Sequence, residues 1–425
     1  MWSLPRQLAF RFGCLLALFT IWPFPFGSVP GTDAVAEALA VPWEWGTRGL
    51  AELSGIALPT DDAGGSGDST AAWLMTALTL GLAVVGTVLW SVIDRRRSAY
   101  PRLARITESA VRHWLAFALL TYGLVKVFDI QFRGPNPFVL DGRVAEMSPM
   151  GLLWTFMGYS RPYAVFAGCA ELLGGALLLW RRTRVLGLIV TIGVMANVAM
   201  LNLCYDVPVK LYSLTLLVTA LVLIAPQLRR IGAALLGRGV PELPELSRDA
   251  PRWARRAHVA KFVLIAAMLG GLALPFRGYA MFFSPPTDLD GSWRVERFAV
   301  RGVQRPPLAT DAMRWHRLIV AGGAKVGPNV MIAIRYQDDH VELRMAEIEP
   351  GSRTVELGSA IDLRTGRPGE VPDGTGVRWT YRRLDPDQLE IAVVDTDVRV
   401  TLRREPPGLL LTRPFHWIQE RPFNR

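Results

Sequence analysis

The sequence predicts a membrane all-α helical bundle followed by a small antiparallel all-β barrel or sandwich domain. Three observations carry that expectation. About seven apolar stretches occupy residues 1–276 of the 425-residue chain, each close to the roughly 20 residues that a helix needs to cross a bilayer. Beyond residue 276 no such stretch occurs, and short runs alternate there with a period of two. The composition, 51% hydrophobic and 20% charged, is what the average of a membrane half and a soluble half gives.

The first stretch, 8–26, is interrupted by Arg11 and ends in Pro23, Phe24, Pro25 and Phe26. No small-residue cleavage site follows, so it reads as a retained helix and not as a leader. Gly27 to Thr70 is a long outer segment whose centre, Pro42 to Leu58, carries Trp43, Trp45, Leu50, Leu53 and Ile56. That pattern suits a helix lying at the membrane interface. The run Gly64-Gly65-Ser66-Gly67-Asp68-Ser69 leads into the second span, 71–93. No phosphate-loop arrangement accompanies it, and it reads as a linker with an N-cap from Asp68 or Ser69.

Further spans are expected at 111–132, 161–180, 185–203, 209–226 and 258–276. Between the third and fourth, Arg133 to Tyr163 holds Pro135, Pro137, Asp141, Met147 and Pro149, then Leu152, Leu153, Trp154 and Phe156. This apolar run is too short to span and reads as an interfacial or re-entrant helix, with Trp154 and Tyr159 in the aromatic belt. The division that follows is 1–110 for the first two helices and an outer loop, 111–226 for a four-helix core, 227–284 for a linker and the seventh helix, and 285–425 for the β domain.

Arginines concentrate in alternate connections: Arg95, Arg96, Arg97, Arg102 and Arg105, then Arg181, Arg182 and Arg184, then Arg229, Arg230, Arg238, Arg252, Arg255 and Arg256. By the positive-inside rule these connections are cytoplasmic. The N-terminus is then inside, and the C-terminal domain outside, which in a bacterium is the periplasmic side of the inner membrane. Because the basic residues follow topology, the formal charge of +10 is no nucleic-acid footprint, and nucleic acid is excluded as a partner.

In the C-terminal part Val330, Ile332, Ile334 and Tyr336 alternate with other residues, as do Leu389, Ile391 and Val393, then Val398, Val400 and Leu402. Turn signals at Gln337 to Asp339, Gly366 to Gly376 and Asp395 to Asp397 separate the runs. About eight strands fit, enough for a closed barrel or a sandwich. The opening Leu289-Asp290-Gly291-Ser292-Trp293-Arg294-Val295 resembles the first strand of lipocalin-like folds.

Ionisable side chains inside a bilayer are expensive unless they face a cavity or a partner, which makes each a functional candidate. Tyr122, Lys126 and Asp129 share one face of the third span, and Glu171 lies near the middle of the fourth among the small residues Ala164, Gly168 and Gly175. The fifth span contributes Asn197 and Asn202, and the turn after it reads Cys204-Tyr205-Asp206-Val207-Pro208-Val209-Lys210. The topology brings these ends to one membrane surface. An outward-facing pocket with Glu171 at its floor is one reading, and a set of charge pairs that only hold helices in register is the other. Lys126 and Glu171 are the candidate proton donor and acceptor. Tyr122, Asp129, Tyr159, Asn197, Asn202, Tyr205, Asp206 and Lys210 are candidate ligand contacts.

Other chemistries lack support. The three cysteines, Cys14, Cys169 and Cys204, form no CxxC pair, and His316, His340 and His416 have no metal-ligand spacing. His113 and His258 fall at cytoplasmic span ends. No nucleophile elbow, zinc-protease helix or dinucleotide fingerprint is present.

The segment Gly168-Cys169-Ala170-Glu171-Leu172-Leu173-Gly174-Gly175, followed by Leu177, Leu178 and Arg181-Arg182-Thr183-Arg184, resembles DoxX-family membrane proteins. Their four-helix core carries such a glutamate among small residues and a loop ending in Thr-Arg. The resemblance covers roughly 111–226. Longer bacterial members are similar in Gly65-Ser66-Gly67-Asp68, Met157-Gly158-Tyr159-Ser160, Asn202 to Lys210 and Phe415-His416-Trp417-Ile418. The resemblance implies an association with quinone-linked sulfur oxidation or oxidative-stress complexes and, as a distant analogy, with the membrane part of vitamin-K-dependent carboxylases. A soluble β appendage departs from a minimal DoxX protein.

Together these readings give an inner-membrane protein whose outward pocket binds a quinone or another small lipophilic molecule and supports redox chemistry. The competing class is a non-enzymatic envelope assembly protein, in which the β domain binds a periplasmic or membrane protein partner and lipid surrounds the bundle. Transport is weaker, because no inverted repeat or broken-helix pair is evident.

Overall fold

Apolar side chains specify most of the helices, and a polar side-chain N-cap starts a few of them. The computed structural model describes residues 2–59, 66–239, 259, 262–271, 287–326, 329–349, 351–361, 377–394, 396–406, 408–413, 416 and 419. They divide into two units, Met1–Arg133 with Ser148–Phe276, and Gly134–Met147 with Arg277–Arg425.

The first unit is helical. It contains α1 (Leu4–Ile21), α2 (Asp33–Ser54), α3 (Thr70–Ile93) and α4 (Pro101–Val127). The short α5 (Pro137–Asp141) belongs to the second unit. Then come α6 (Pro149–Tyr159), α7 (Arg161–Leu178), α8 (Arg184–Cys204), α9 (Lys210–Ile224), α10 (Leu228–Leu235) and α11 (Phe262–Gly271). Ser69 caps α3, its hydroxyl accepting from the Ala72 amide at 3.2 Å, and Ser148 caps α6 by accepting from Gly151 at 3.0 Å.

Among the described residues, four helices are long and apolar enough to cross a membrane: Leu4–Ile21, Thr70–Ile93, Arg184–Cys204 and Lys210–Leu235. The last joins α9 and α10 through a 3₁₀ turn at Ala225–Gln227. The third and fourth expected spans form α4 and α7, which are outside this apolar group. Of the seventh, only the apolar helix α11 lies within the described residues.

Buried polar side chains fix several helix ends. Arg11 of α1 is 2% exposed. It donates to the Tyr100 hydroxyl at 2.8 Å, the Ser91 hydroxyl at 2.8 Å and the Asp94 carbonyl at 2.8 Å, so the interruption in the first apolar run has its partners at the end of α3 and the start of α4. At the end of α7 the Leu178 carbonyl accepts from the Arg112 guanidinium, and the Leu177 carbonyl accepts from the Thr183 hydroxyl at 2.7 Å. Arg184 pairs with Glu108 at 2.6 Å. Arg112 of α4 and Thr183 therefore satisfy carbonyls that a helix terminus leaves free.

The second unit is a closed antiparallel β-barrel of eight strands. Its strands are β1 (Gly291–Val300), β3 (Trp315–Val326), β4 (Asn329–Tyr336), β5 (Val341–Glu349), β6 (Thr354–Ile361), β7 (Val377–Asp385), β8 (Gln388–Val393) and β9 (Val398–Arg404). Each pairs with its neighbour in sequence, and β1 closes on β9 from Trp293↔Arg404 to Val300↔Val398. The two-residue β2 (Val303–Gln304) only folds back on the end of β1. A bulge between Val295 and Arg297 lets both Val295 and Phe298 face inward despite their odd spacing.

Aromatic and aliphatic side chains fill the interior, with Trp293, Trp379, Leu318, Ile332, Leu389 and Leu402 all but fully buried. At one end Arg404 stacks over Trp293, 4.3 Å from the ring centroid, and donates to the Asp290 carbonyl at 2.7 Å. On the barrel surface α5 brings the Asp141 carboxylate between Arg317 at 2.5 Å and Arg335 at 2.7 Å, with the Asp141 side chain 3% exposed. Arg317 also pairs with Glu405 at 3.1 Å.

Candidate functional site

Close helix approach creates the site. A Cβ added at Gly168 of α7 would stand 2.8 Å from the Gly123 carbonyl and from Lys126 Cβ, and one at Gly123 of α4 would stand 2.8 Å from the Gly168 carbonyl. Only glycine lets the two backbones come this near. The contact carries Lys126, one turn beyond Tyr122 on α4, up to Glu171 on α7.

Lys126 Nζ donates to Glu171 Oε2 at 3.0 Å, and their side chains are 7% and 3% exposed. The ammonium also sits 5.6 Å from the Tyr122 ring centroid and 5.9 Å from that of Phe132. A pair this buried contributes little net stability against an apolar substitute, while loss of one member strands a charge at a cost of roughly 3–5 kcal/mol. The pair thus constrains the fold without being its main support.

Both residues line a cavity of about 370 Å³ inside the helical unit. Its walls come from α4, α6, α7, α8 and α9 and are mainly apolar, as Leu119, Leu153, Met157, Met195 and Leu216 illustrate. Tyr122, Asn197 and Asn202 also line it. Asp129, Tyr159, Tyr205, Asp206 and Lys210 are not among its lining residues. Asp129 and Asp206 have φ of 59° and 52°, in the left-handed region where a chain leaves a helix. Tyr159 ends α6 and is exposed, and Tyr205 is the C-cap of α8, half-buried against the Phe132 and Met157 cluster. Lys210 begins α9 and pairs with Asp206 at 2.8 Å.

The structure adds Gln131, Tyr212 and Ser213 to the wall. Gln131 Oε1 is buried and has no hydrogen-bond partner. Tyr212 packs on Tyr122 with ring centroids 5.7 Å apart. Ser213 could have been noticed as a polar residue in an apolar span. Gln131 gave no such signal, because it follows the Asp129 turn and no helical period reaches it.

Chemically, the site combines an apolar chamber with a charge pair that sums to zero, a donor in Lys126 and an orphan acceptor in Gln131. It suits an uncharged molecule with oxygen functions, since an unpaired buried acceptor is costly until it meets a donor.

No protein-family model matches the chain, and no solved structure does. Over 113 residues, 27% of this chain, it is 36% identical to the Uncharacterized protein YwoB of Bacillus subtilis (strain 168), and the match covers 71% of that protein. The chain belongs to the YwoB family. That name states no activity, so what the site of this YwoB-family chain does has to be argued from its own geometry.

Proposed function

We propose that this chain is a DoxX-like bacterial inner-membrane protein whose helical bundle binds a quinone or another small lipophilic molecule against Lys126 and Glu171. The observation that carries the reading is the buried Lys126–Glu171 pair in the wall of an apolar cavity of about 370 Å³, a volume within the roughly 300–1,000 Å³ of small-molecule sites. Lys126 donates to a ligand carbonyl, Glu171 accepts from a ligand hydroxyl or exchanges its proton, and Tyr122 bounds the ring. Gln131 takes the second hydroxyl of a reduced ring. Seven crossings, with the N-terminus cytoplasmic and the C-terminal barrel periplasmic, complete the proposal. The Trp293–Arg404 corner supports a lipocalin-like kinship for that barrel.

The test is quinone binding to the purified full chain, by mass spectrometry of copurified small molecules and by titration. Glu171→Gln and Lys126→Ala are expected to weaken binding roughly ten- to hundredfold, as loss of a hydrogen bond to a charged group does. The double variant Lys126→Met with Glu171→Leu removes both charges together and so avoids stranding one. Retained binding in that folded double variant would sink the proposal.

A further inference from the structure

The outward face of α8 holds an anomaly. Leu186, Ile189, Met200 and Leu203 are exposed and recur at intervals of three and four, with Gly193 and Asn197 completing the stripe between them. In a membrane helix such a stripe faces lipid. Yet Gly193 and Asn197 also line the cavity. The chamber therefore reaches the outer surface of the bundle at that height.

The neighbouring helix says the same. On α7, Tyr163 and Phe166 are 47% and 67% exposed and line the cavity, as do Ala167 and Ala170 beside them. The opening thus lies between α7 and α8, bordered by two small alanines on one side and a glycine on the other. A Cβ at Gly193 would meet nothing within 4 Å, so the glycine serves no close helix contact. It leaves a notch.

Size gives the third observation. A chamber of about 370 Å³ is near the lower limit for small-molecule sites, roughly 300 Å³. It holds a ring or a comparable head, and a long chain attached to that head has to leave it. Asn197 is the polar member of an otherwise apolar stripe, and an amide facing hydrocarbon is costly unless it has a partner. At the rim it can bond a polar group where head joins tail.

From this geometry we infer that the cavity opens sideways into the lipid through a doorway at Gly193 and Asn197, and that its ligand is an amphipath with an uncharged head and an apolar tail lying in that doorway. The inference rests on the ligand-binding reading above and adds the ligand's shape and its route. The ligand arrives from the bilayer, head first, and its tail stays between α7 and α8.

The experiment uses the full chain in phosphatidylcholine nanodiscs and, as probe, dodecanol carrying a photoreactive diazirine beside its hydroxyl. In the wild-type chain, cross-links are expected on the cavity peptides that hold Tyr122 and Met195. Gly193→Trp, whose Cβ would meet nothing within 4 Å, puts a bulky ring in the notch and should reduce those cross-links about fivefold or more, while Gly193→Ala stays within about twofold. Size-exclusion elution checks that each variant folds. Cavity cross-links that persist in Gly193→Trp, or that are absent from the wild type, overturn the doorway. Binding of a tail-less benzoquinone to the same samples separates the two ideas. If it binds the wild type and is lost in Glu171→Gln, the head site stands whatever the cross-linking shows about the doorway.

Discussion

Where α9 begins is decided by one carboxylate. The two Asp68 oxygens accept from the amides of Lys210 at 2.8 Å and Leu211 at 2.9 Å, and the Gly67 amide donates to the Pro208 carbonyl at 2.7 Å. A negative group on the first free amides of a helix satisfies donors and opposes the positive end of its dipole. Asp68→Ala should therefore cost about 1–2 kcal/mol, the range of a lost N-cap, and raise amide exchange at 210–214. Lys210→Met should have a smaller effect, because its bond to Asp206 joins a side chain that is 81% exposed. Equal exchange in Asp68→Ala and the wild type would show that the cap is idle. Gly67-Asp68 and Asp206 to Lys210 were legible as unusual residues, but their union was not. A hydrogen bond across 142 residues leaves no periodicity in the chain, and a φ of 59° or 52° turns Asp129 and Asp206 into helix terminators that, read as charges alone, resemble ligand contacts.

Elements were legible in proportion to how uniform their surroundings are. Spans with one apolar environment, such as α3 and α8, stand out at once. The helix α4 starts at Pro101, ahead of the expected 111, because its first turns are polar and only its later ones are apolar. In the barrel, period two located the strands of the C-terminal half, while closure of β1 on β9 depends on a bulge at Glu296 that no alternation announces. One consequence at this scale concerns β3. Partial burial, and then the Arg317 guanidinium, hold His316 below its ordinary value of 6.5, against the smaller opposing influence of Asp339 and Glu405. The unfolded chain then binds a proton that the folded barrel does not as pH drops through that value, so stability is complete above it and is lost until the folded value is passed. Exchange of β3 amides, corrected for intrinsic rate, should accelerate as pH falls through 6.5. In His316→Gln that acceleration should shrink; an identical pH profile in the variant would assign it to other groups.

Asp141 ties the scale of the element to that of the whole chain. Residues 134–147 are flanked on both sides by the helical unit but belong to the barrel unit, where Asp141 sits between Arg317 and Arg335. Composition could not reveal this membership, since a short proline-rich stretch reads the same whichever unit it joins. It has a bearing on orientation. If the barrel unit lies wholly outside the bilayer, as in the topology proposed above, the connection from α4 to α6 and the C-terminal barrel share a side, whatever the charge count. In the proposed topology the arginine-rich turn Arg181 to Arg184 is one further crossing away, on the cytoplasmic side. Single cysteines at the exposed positions Ala145, Ser352 and Arg182, in a chain with Cys14, Cys169 and Cys204 replaced by serine, make the argument measurable. In spheroplasts an impermeant maleimide should label Ala145→Cys and Ser352→Cys, and should label Arg182→Cys only after permeabilisation. Opposite behaviour of Ala145→Cys and Ser352→Cys would break the unit that Asp141 joins. Labelling of Arg182→Cys in intact spheroplasts, with the other two protected, would keep the unit and reverse the protein in the membrane.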